Sequence, residues 1–329
     1  MYHDLAGGRA MARRADIVAA RPDVASIWDQ ADGLFPVRVT ASFWDRVDAH
    51  DPDDPLAAQV LPHPAELVDA PDDLLDPVGD ARCSPVPWVV HKYPNRVLVL
   101  VTKRCHLYCR YCFRRDHSPG EQQDPSADDW ARAWRYVDAA GPEEVILSGG
   151  DPLAVNDRRL EDALERARTA ASVVRVHTRA PITFPRRVTP RLVELLRAGD
   201  VPTWVVVHCN HPRELAPDVD VALARLVDGG IPVLNQSVLL RGVNDDADVL
   251  AELSRALVRR KVFPYYLHHP DNARGNAHLR VPLEEAVELV AALRRRTSGI
   301  SMPRHVVDMP DGSGKIDAID ALSAGRRTS

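Results

Sequence analysis

Cysteine is scarce in this chain: five in 329 residues, an odd number and too few for a disulfide framework. Whatever the thiols do is metal or redox chemistry, or plain packing. Long apolar runs are missing as well. A run such as VLVLV at 97–101 falls far short of the roughly 20 residues that span a bilayer. The opening stretch MYHDLAGGRAMARRADIVAARPD has basic residues but no apolar segment of the kind a secretion signal needs. Together these absences predict a cytoplasmic protein with no membrane role. Charge of one sign is also lacking. The 42 Lys and Arg nearly balance the 47 Asp and Glu, for a net charge of −5, so there is no global field for nucleic acid. What remains, 45% apolar and 27% charged residues, is the profile of a globular chain with ample core.

The first ninety residues differ from the rest. Between Asp45 and Asp80 there are eleven acids, one arginine and six prolines, which rules out long helices. PVRVTASFWDRV and PLAAQVLP carry enough apolar residues to dock, so 1–90 reads as an arm packed on a main body. From Arg96 onward, β-branched runs alternate with helical stretches of about a dozen residues: VLVLVT, EVILS, VVRVHT, TWVVVH, IPVLNQSVLL and VFPYYLHH are each followed by a helix pattern. Near-continuous apolar strands mean a parallel sheet covered by helices. A closed eight-fold barrel needs about 250 residues, more than this region offers, so the expected α/β fold is a partial (β/α)6 barrel over 91–300. Residues 301–329 form a short C-terminal segment. In such folds chemistry sits at the carboxyl ends of the strands.

Three of the five cysteines, Cys105, Cys109 and Cys112, lie in one stretch, TKRCHLYCRYCFRRD, directly after the first barrel strand. Sulfur ligands at this spacing suit an iron–sulfur cluster or zinc. A structural zinc wants a fourth ligand, and His106 is too close in sequence to serve. Three cysteines leave one iron of a [4Fe–4S] cluster open. Cys83 and Cys209 stand alone and read as small packing residues. After the second strand, Ser148, Gly149, Gly150 and Asp151 form a turn where backbone can approach a ligand and an acid can accept from an ammonium. Alone, that turn is also an ordinary helix start. Lys315 sits in VVDMPDGSGKID, where Met309 and Ile316 break a phosphate-binding P-loop pattern.

The CHLYCRYCF stretch, C-x3-C-x2-C with an adjacent aromatic, resembles the signature of radical S-adenosylmethionine (SAM) enzymes. From about 34 to 316 the chain resembles the lysine 2,3-aminomutases, which also carry pyridoxal 5′-phosphate (PLP). The matching stretches are HKYPNRVLVLVT, CRYCFRR, SGGDPL, NQSVLLRGVND, PYYLHHPDNARGNAH and VVDMPDGSGK. The resemblance implies a [4Fe–4S] cluster on the three cysteines, with SAM chelating the open iron. It puts the methionyl amine of SAM at Ser148–Asp151 and SAM also near His208 and Asn210. It makes Lys315 the PLP-bearing lysine, with Lys92, Tyr93 and Arg96 around the phosphate and Gln236 near the ring. The usual arginine of that cradle is Lys92 here. Arg114 would take the substrate α-carboxylate, and Asp271 and Asp308 its distal cation.

The implied reaction is a 2,3-amino migration on a basic L-amino acid, foremost L-lysine to L-β-lysine, through a 5′-deoxyadenosyl radical. Arginine as substrate and service to elongation factor P modification are alternatives within the class. A non-catalytic iron–sulfur electron carrier or sensor is the alternative outside it, and would need neither Lys315 nor SGGD. The expected partners are the amino acid and an electron donor such as flavodoxin or ferredoxin. Homo-oligomerisation is left open.

Overall fold

Strands such as VLVLVT place apolar side chains on both faces, and a sheet built from them must be covered on both sides. In the computed structural model, which describes residues 10–115 and 122–325, nine strands form one sheet in chain order. They are β1 (Val89–Tyr93), β2 (Arg96–Thr102), β3 (Glu144–Gly149), β4 (Val173–Thr178), β5 (Thr203–His208), β6 (Val233–Val238), β7 (Val262–His268), β8 (Arg304–Met309) and β9 (Gly314–Asp317). Strands β2 to β7 are the six expected barrel strands, all parallel. The expected sheet is extended at three places. β8 adds a seventh parallel strand, and β1 and β9 pair antiparallel at the two edges. The expectation of a leader-free start rests partly on residues 1–9, which lie outside the described residues, as do 326–329 of the C-terminal segment.

Helices α4 (Ala127–Ala140), α5 (Asp157–Ala170), α6 (Ala180–Thr183), α7 (Pro190–Arg197), α8 (Pro217–Asp228), α9 (Ala247–Arg259) and α10 (Leu283–Arg294) cover the outer face, and α11 (Ala318–Gly325) follows β9. Their starts are written in the sequence. Ser126, Asn156, Thr189 and Asp246 each accept a backbone N–H from the first turn, satisfying donors that a helix leaves unpaired. Val97, Val99, Val101, Leu147, Val174 and Val176 meet Trp134, Leu160, Leu164 and Leu192 in the main core. The side chains of alternate positions therefore turn inward. They include Glu144, Arg175, His177, His208 and Gln236 beside Leu98, Ile146, Trp204 and Leu234, so the barrel interior is a roomy cavity of mixed polar and apolar lining rather than a packed core.

The arm has only short helices before the sheet, as its prolines dictate: α1 (Arg14–Ala20), α2 (Trp28–Leu34) and α3 (Ala41–Trp44). Ile17, Trp28, Phe43, Leu56 and Val60 form its core, and Leu107 of the cysteine loop plugs into it. The arm also holds that loop by its backbone. Tyr108 N–H donates to Arg38 O at 3.1 Å and Arg110 N–H to Gln59 O at 2.8 Å. Arg110, fully buried, donates to the Phe35 and Pro36 carbonyls at 3.1 Å and to the Glu66 carboxylate, which also accepts from Arg115 at 3.0 Å. Removing one partner from such a buried network leaves uncompensated charge. Glu66→Ala is expected to cost about 3–5 kcal/mol in urea unfolding, and unchanged stability would show the network is dispensable.

Candidate active site

The barrel interior, from Arg96, Glu144 and Val173 at the strands' amino ends to the loops beyond their carboxyl ends, encloses a cavity of about 690 Å³. Its wall carries seven cationic side chains against five carboxylates, an excess that suits anionic ligands. Its buried imidazoles add no charge. Burial holds His177 and His208 well below the usual histidine range and takes His268 down to about 3.

Cys105, Cys109 and Cys112 all line this cavity, on the loop that leaves β2. Burial raises the thiols of Cys105 and Cys112, the latter to about 11, and the neighbouring sulfurs add to the rise. Thiols held protonated this way bind metal only where the metal's own charge replaces the proton. Cys209 lies fully buried in the main core, and Cys83 lies away against the Gly312 carbonyl.

The SGGD turn docks directly on the cysteine loop. A Cβ on Gly149 would stand 2.1 Å from Thr102 O and one on Gly150 2.4 Å from Arg104 O, so only glycine allows the two loops to meet. Backbone N–H groups of Gly150 and Asp151 donate to the Thr102 and Arg104 carbonyls. Asp151 ties the loops together. Its Oδ1 accepts from Leu153 N–H and Thr178 Oγ1, and its Oδ2 from Arg179 and Ala180 N–H. The carboxylate is spent on the loops, so any hold on the methionyl amine falls to the turn's backbone and Ser148. Asn210 lies one layer back. It is fully buried and off the cavity wall, with Nδ2 donating to Gln59 and Tyr111 and Oδ1 accepting from Val238 N–H. Its role is to hold Tyr111, whose hydroxyl lies 2.8 Å from Nε2 of His208, the ring it stacks on. His208 itself does reach the cavity.

At the sheet edges, Lys315 lies not in a loop but on β9, and the hairpin pairs it with Asp308 on β8. This register explains the seven-residue spacing in the sequence. Asp308 Oδ2 accepts from the Lys315 ammonium. The gap between β9 and β1 is bridged by Tyr93, whose hydroxyl accepts from Lys315 N–H at 2.7 Å. Gly314 makes room for it; a Cβ there would lie 2.3 Å from the Tyr93 oxygen. Arg96 stacks over the Tyr93 ring at 3.5 Å.

A row of alternating charges runs onward from Asp308. Lys92 stands 3.8 Å from Asp308 Oδ1 and 2.8 Å from Asp80, and it donates to Val78 O at 2.6 Å. Asp80 accepts in turn from Arg114, Nη2 at 2.7 Å and Nε at 3.0 Å. Against the upward push of burial, Arg114 and Lys92 hold Asp80 well below the usual carboxylate range. Lys92 lines the cavity with its ammonium engaged by this acid row. Asp80 was missed. Nothing local singles it out among the eleven acids between Asp45 and Asp80. Asp271, from the loop after β7, joins the row at Asp308. Burial, with Asp308 beside it, pushes Asp271 up to about 7.

The family model for the radical SAM superfamily matches residues 99–253. L-lysine 2,3-aminomutase of Escherichia coli is 42% identical over 278 residues, covering 83% of this chain and 80% of that protein. The chain belongs to the L-lysine 2,3-aminomutase family. The same enzyme of Clostridium subterminale is 41% identical over 84% of this chain and 67% of its own length, and that of Buchnera aphidicola 36% over 87% and 85%. Among solved structures, a radical SAM methyltransferase from Sphaerobacter thermophilus superposes with a TM-score of 0.43 at 20% identity, over 66% of this chain and 68% of that one. That likeness is too loose to bear on function. Family membership makes the protein a radical SAM isomerase that works on an amino acid with a [4Fe–4S] cluster, SAM and PLP. It sets the bare electron-carrier reading aside.

The residues present fit those groups. Among the described residues no three His, Cys, Asp or Glu side chains converge on a point that a single metal ion could occupy. A four-iron cluster takes each thiolate on a different iron, and three cysteines lining one cavity suit it. For PLP the cavity offers an amine at Lys315 and a cation at Arg96. Asp308 Oδ1, buried and without a hydrogen bond, is an acceptor awaiting a donor.

Proposed function

We propose that the protein converts L-lysine to L-β-lysine and that the residues divide the work as follows. Cys105, Cys109 and Cys112 hold the cluster. The backbone of the Ser148–Asp151 turn, with His208, holds SAM. Lys315 carries PLP, Arg96 and Tyr93 take its phosphate, and Gln236 lies near its ring. When bound, these groups supply a 5′-deoxyadenosyl radical that removes a hydrogen from Cβ and a π-system across which nitrogen moves from Cα to Cβ. The protein aligns the partners and keeps water out. Arg114 faces the cavity with Nε and Nη2 on Asp80 and Nη1 3.4 Å from the Gly149 carbonyl, placed to take the substrate carboxylate, and Asp271 with Asp308 receives the distal ammonium.

One observation carries the preference for a basic substrate: Asp308 Oδ1, buried without a hydrogen bond and with Lys92 only at 3.8 Å, beside a second acid that burial and Asp308 push up to about 7. A cation placed between them would satisfy the first and ionise the second. An external one-electron donor such as flavodoxin or ferredoxin would reduce the cluster. Among the described residues no helix is long and apolar enough to cross a membrane, and we place the enzyme in the cytoplasm.

The test is an anaerobic assay of reconstituted protein with SAM, PLP and dithionite on lysine, arginine, ornithine and glutamate, separating the β-amino products. Lysine should turn over and glutamate should not; equal turnover of the two sinks the assignment. Charged hydrogen bonds contribute roughly 1.5–3 kcal/mol, so Asp271→Asn or Asp308→Asn should lower kcat/KM by about one to two orders of magnitude. The pH profile gives a second reading. Below pH 7 Asp271 is neutral and cannot pair with a cation, so kcat/KM should rise as pH climbs through about 7. In Asp271→Asn that rise should vanish.

A further inference from the structure

Arg179 follows β4 directly and is almost wholly buried, yet its guanidinium reaches a cysteine of the site. Nη1 donates to Cys109 Sγ at 2.8 Å. Nη2 donates to Gln59 Oε1 at 2.6 Å and to Glu214 Oε2 at 3.0 Å. Nε, also buried, has no acceptor. The backbone N–H is fixed on Asp151 at 2.9 Å, so the side chain is anchored at both ends. Glu214 is itself fully buried and well held: its Oε1 accepts from Gln59 Nε2 and from the N–H groups of Asn210 and His211. The pair therefore cannot rearrange to leave Cys109, and the arm residue Gln59 completes the clamp.

We propose that Arg179 tunes the reduction of the cluster. The inference rests on the three cysteines holding a [4Fe–4S] cluster. Reduction adds one electron from an external donor, breaks no bond and moves no proton. Part of the added negative charge falls on the thiolate sulfurs. A fixed guanidinium donating to Cys109 in a low-dielectric site stabilises that reduced state more than the oxidised one. Glu214 offsets part of the cation's field, so the two residues should move the potential in opposite directions. Arg179 acts here as a positioning and tuning residue; it need not touch the substrate.

The experiment is a mediated redox titration of the reconstituted holoprotein, without substrate, following the EPR signal of the reduced cluster. In Arg179→Gln the reduced-to-oxidised ratio at a fixed potential should fall at least about tenfold, a midpoint lower by about 59 mV for one electron. In Glu214→Gln the ratio should rise. A ratio in Arg179→Gln within twofold of wild type overturns the proposal. If that variant retains no cluster, Glu214→Gln decides: an unchanged or lower midpoint overturns it equally. Failure of the cluster reading looks different, since the wild-type protein itself would then hold no four-iron cluster to titrate.

Discussion

Alanine at Cys105, Cys109 or Cys112 should strip the protein of its cluster and of all turnover. Iron should fall from about four per chain to below one, as expected when a [4Fe–4S] cluster loses one of its thiolate ligands. Activity should fall by more than about a thousandfold, the equivalent of roughly 4 kcal/mol in barrier. The chain should stay folded, because the loop is held by contacts that do not involve sulfur: Leu107 in the arm core, and the backbone bonds of Tyr108 and Arg110. Cys83→Ala and Cys209→Ala should keep iron and activity. Cys209 Sγ lies 3.6 Å from the His211 carbonyl among core side chains, and Cys83 Sγ lies 3.7 Å from the Gly312 carbonyl. Iron analysis and EPR with and without SAM check this. Stable, active protein loaded with zinc in place of iron would refute it.

The barrel was legible because its signal is local. Runs such as TWVVVH and VVRVHT announce parallel strands by composition alone, and the helix starts carry their own caps at Ser126 and Asn156. The edges were not legible. β1 is only five residues, with two charged or polar positions, and β9 is four, so neither has room for a period. The PDGS turn between β8 and β9 reads as a loop unless one knows that Asp308 and Lys315 are cross-strand partners.

The site divided in the same way. Residues proposed to meet cofactors through short motifs, such as the three cysteines and the SGGD turn, stood out. Residues that act through partners far along the chain did not. Glu66 meets Arg110 across 44 positions, and Gln59 meets Arg179 across 120. Such pairings are set by how the arm wraps the barrel, which no local pattern encodes. The same physics explains the protein partners found on Asp151, Asn210 and Lys92. A motif shows which residue types are present, whereas competing donors and acceptors within hydrogen-bond reach decide which of them remain available to a ligand.

Lys315→Ala should abolish the covalent hold on PLP and lower turnover by more than about a thousandfold, roughly 4 kcal/mol, while leaving the cluster intact on the far side of the cavity. The substitution also removes the cation from Asp308 Oδ2, leaving that acid only Lys92, 3.8 Å from its other oxygen. Lys315→Arg separates the two effects: it restores a cation beside Asp308 but cannot carry PLP, so it should be as stable as wild type and equally inactive as the alanine variant. Attachment can be mapped with little ambiguity, because the chain has only four lysines: Lys92, Lys103, Lys261 and Lys315. Lys261 does not line the cavity. Lys92 is held by Asp80 and the Val78 carbonyl, and Lys103 stands over the Trp88 ring at 5.4 Å. Lys315 alone has its backbone fixed by Tyr93 at the gap between the sheet edges, beside Arg96. Borohydride treatment followed by peptide mapping should therefore find PLP on the peptide containing residue 315. Label on Lys92 or Lys103 would place the cofactor elsewhere in the cavity, and the roles given to Arg96, Tyr93 and Asp308 would fall with it.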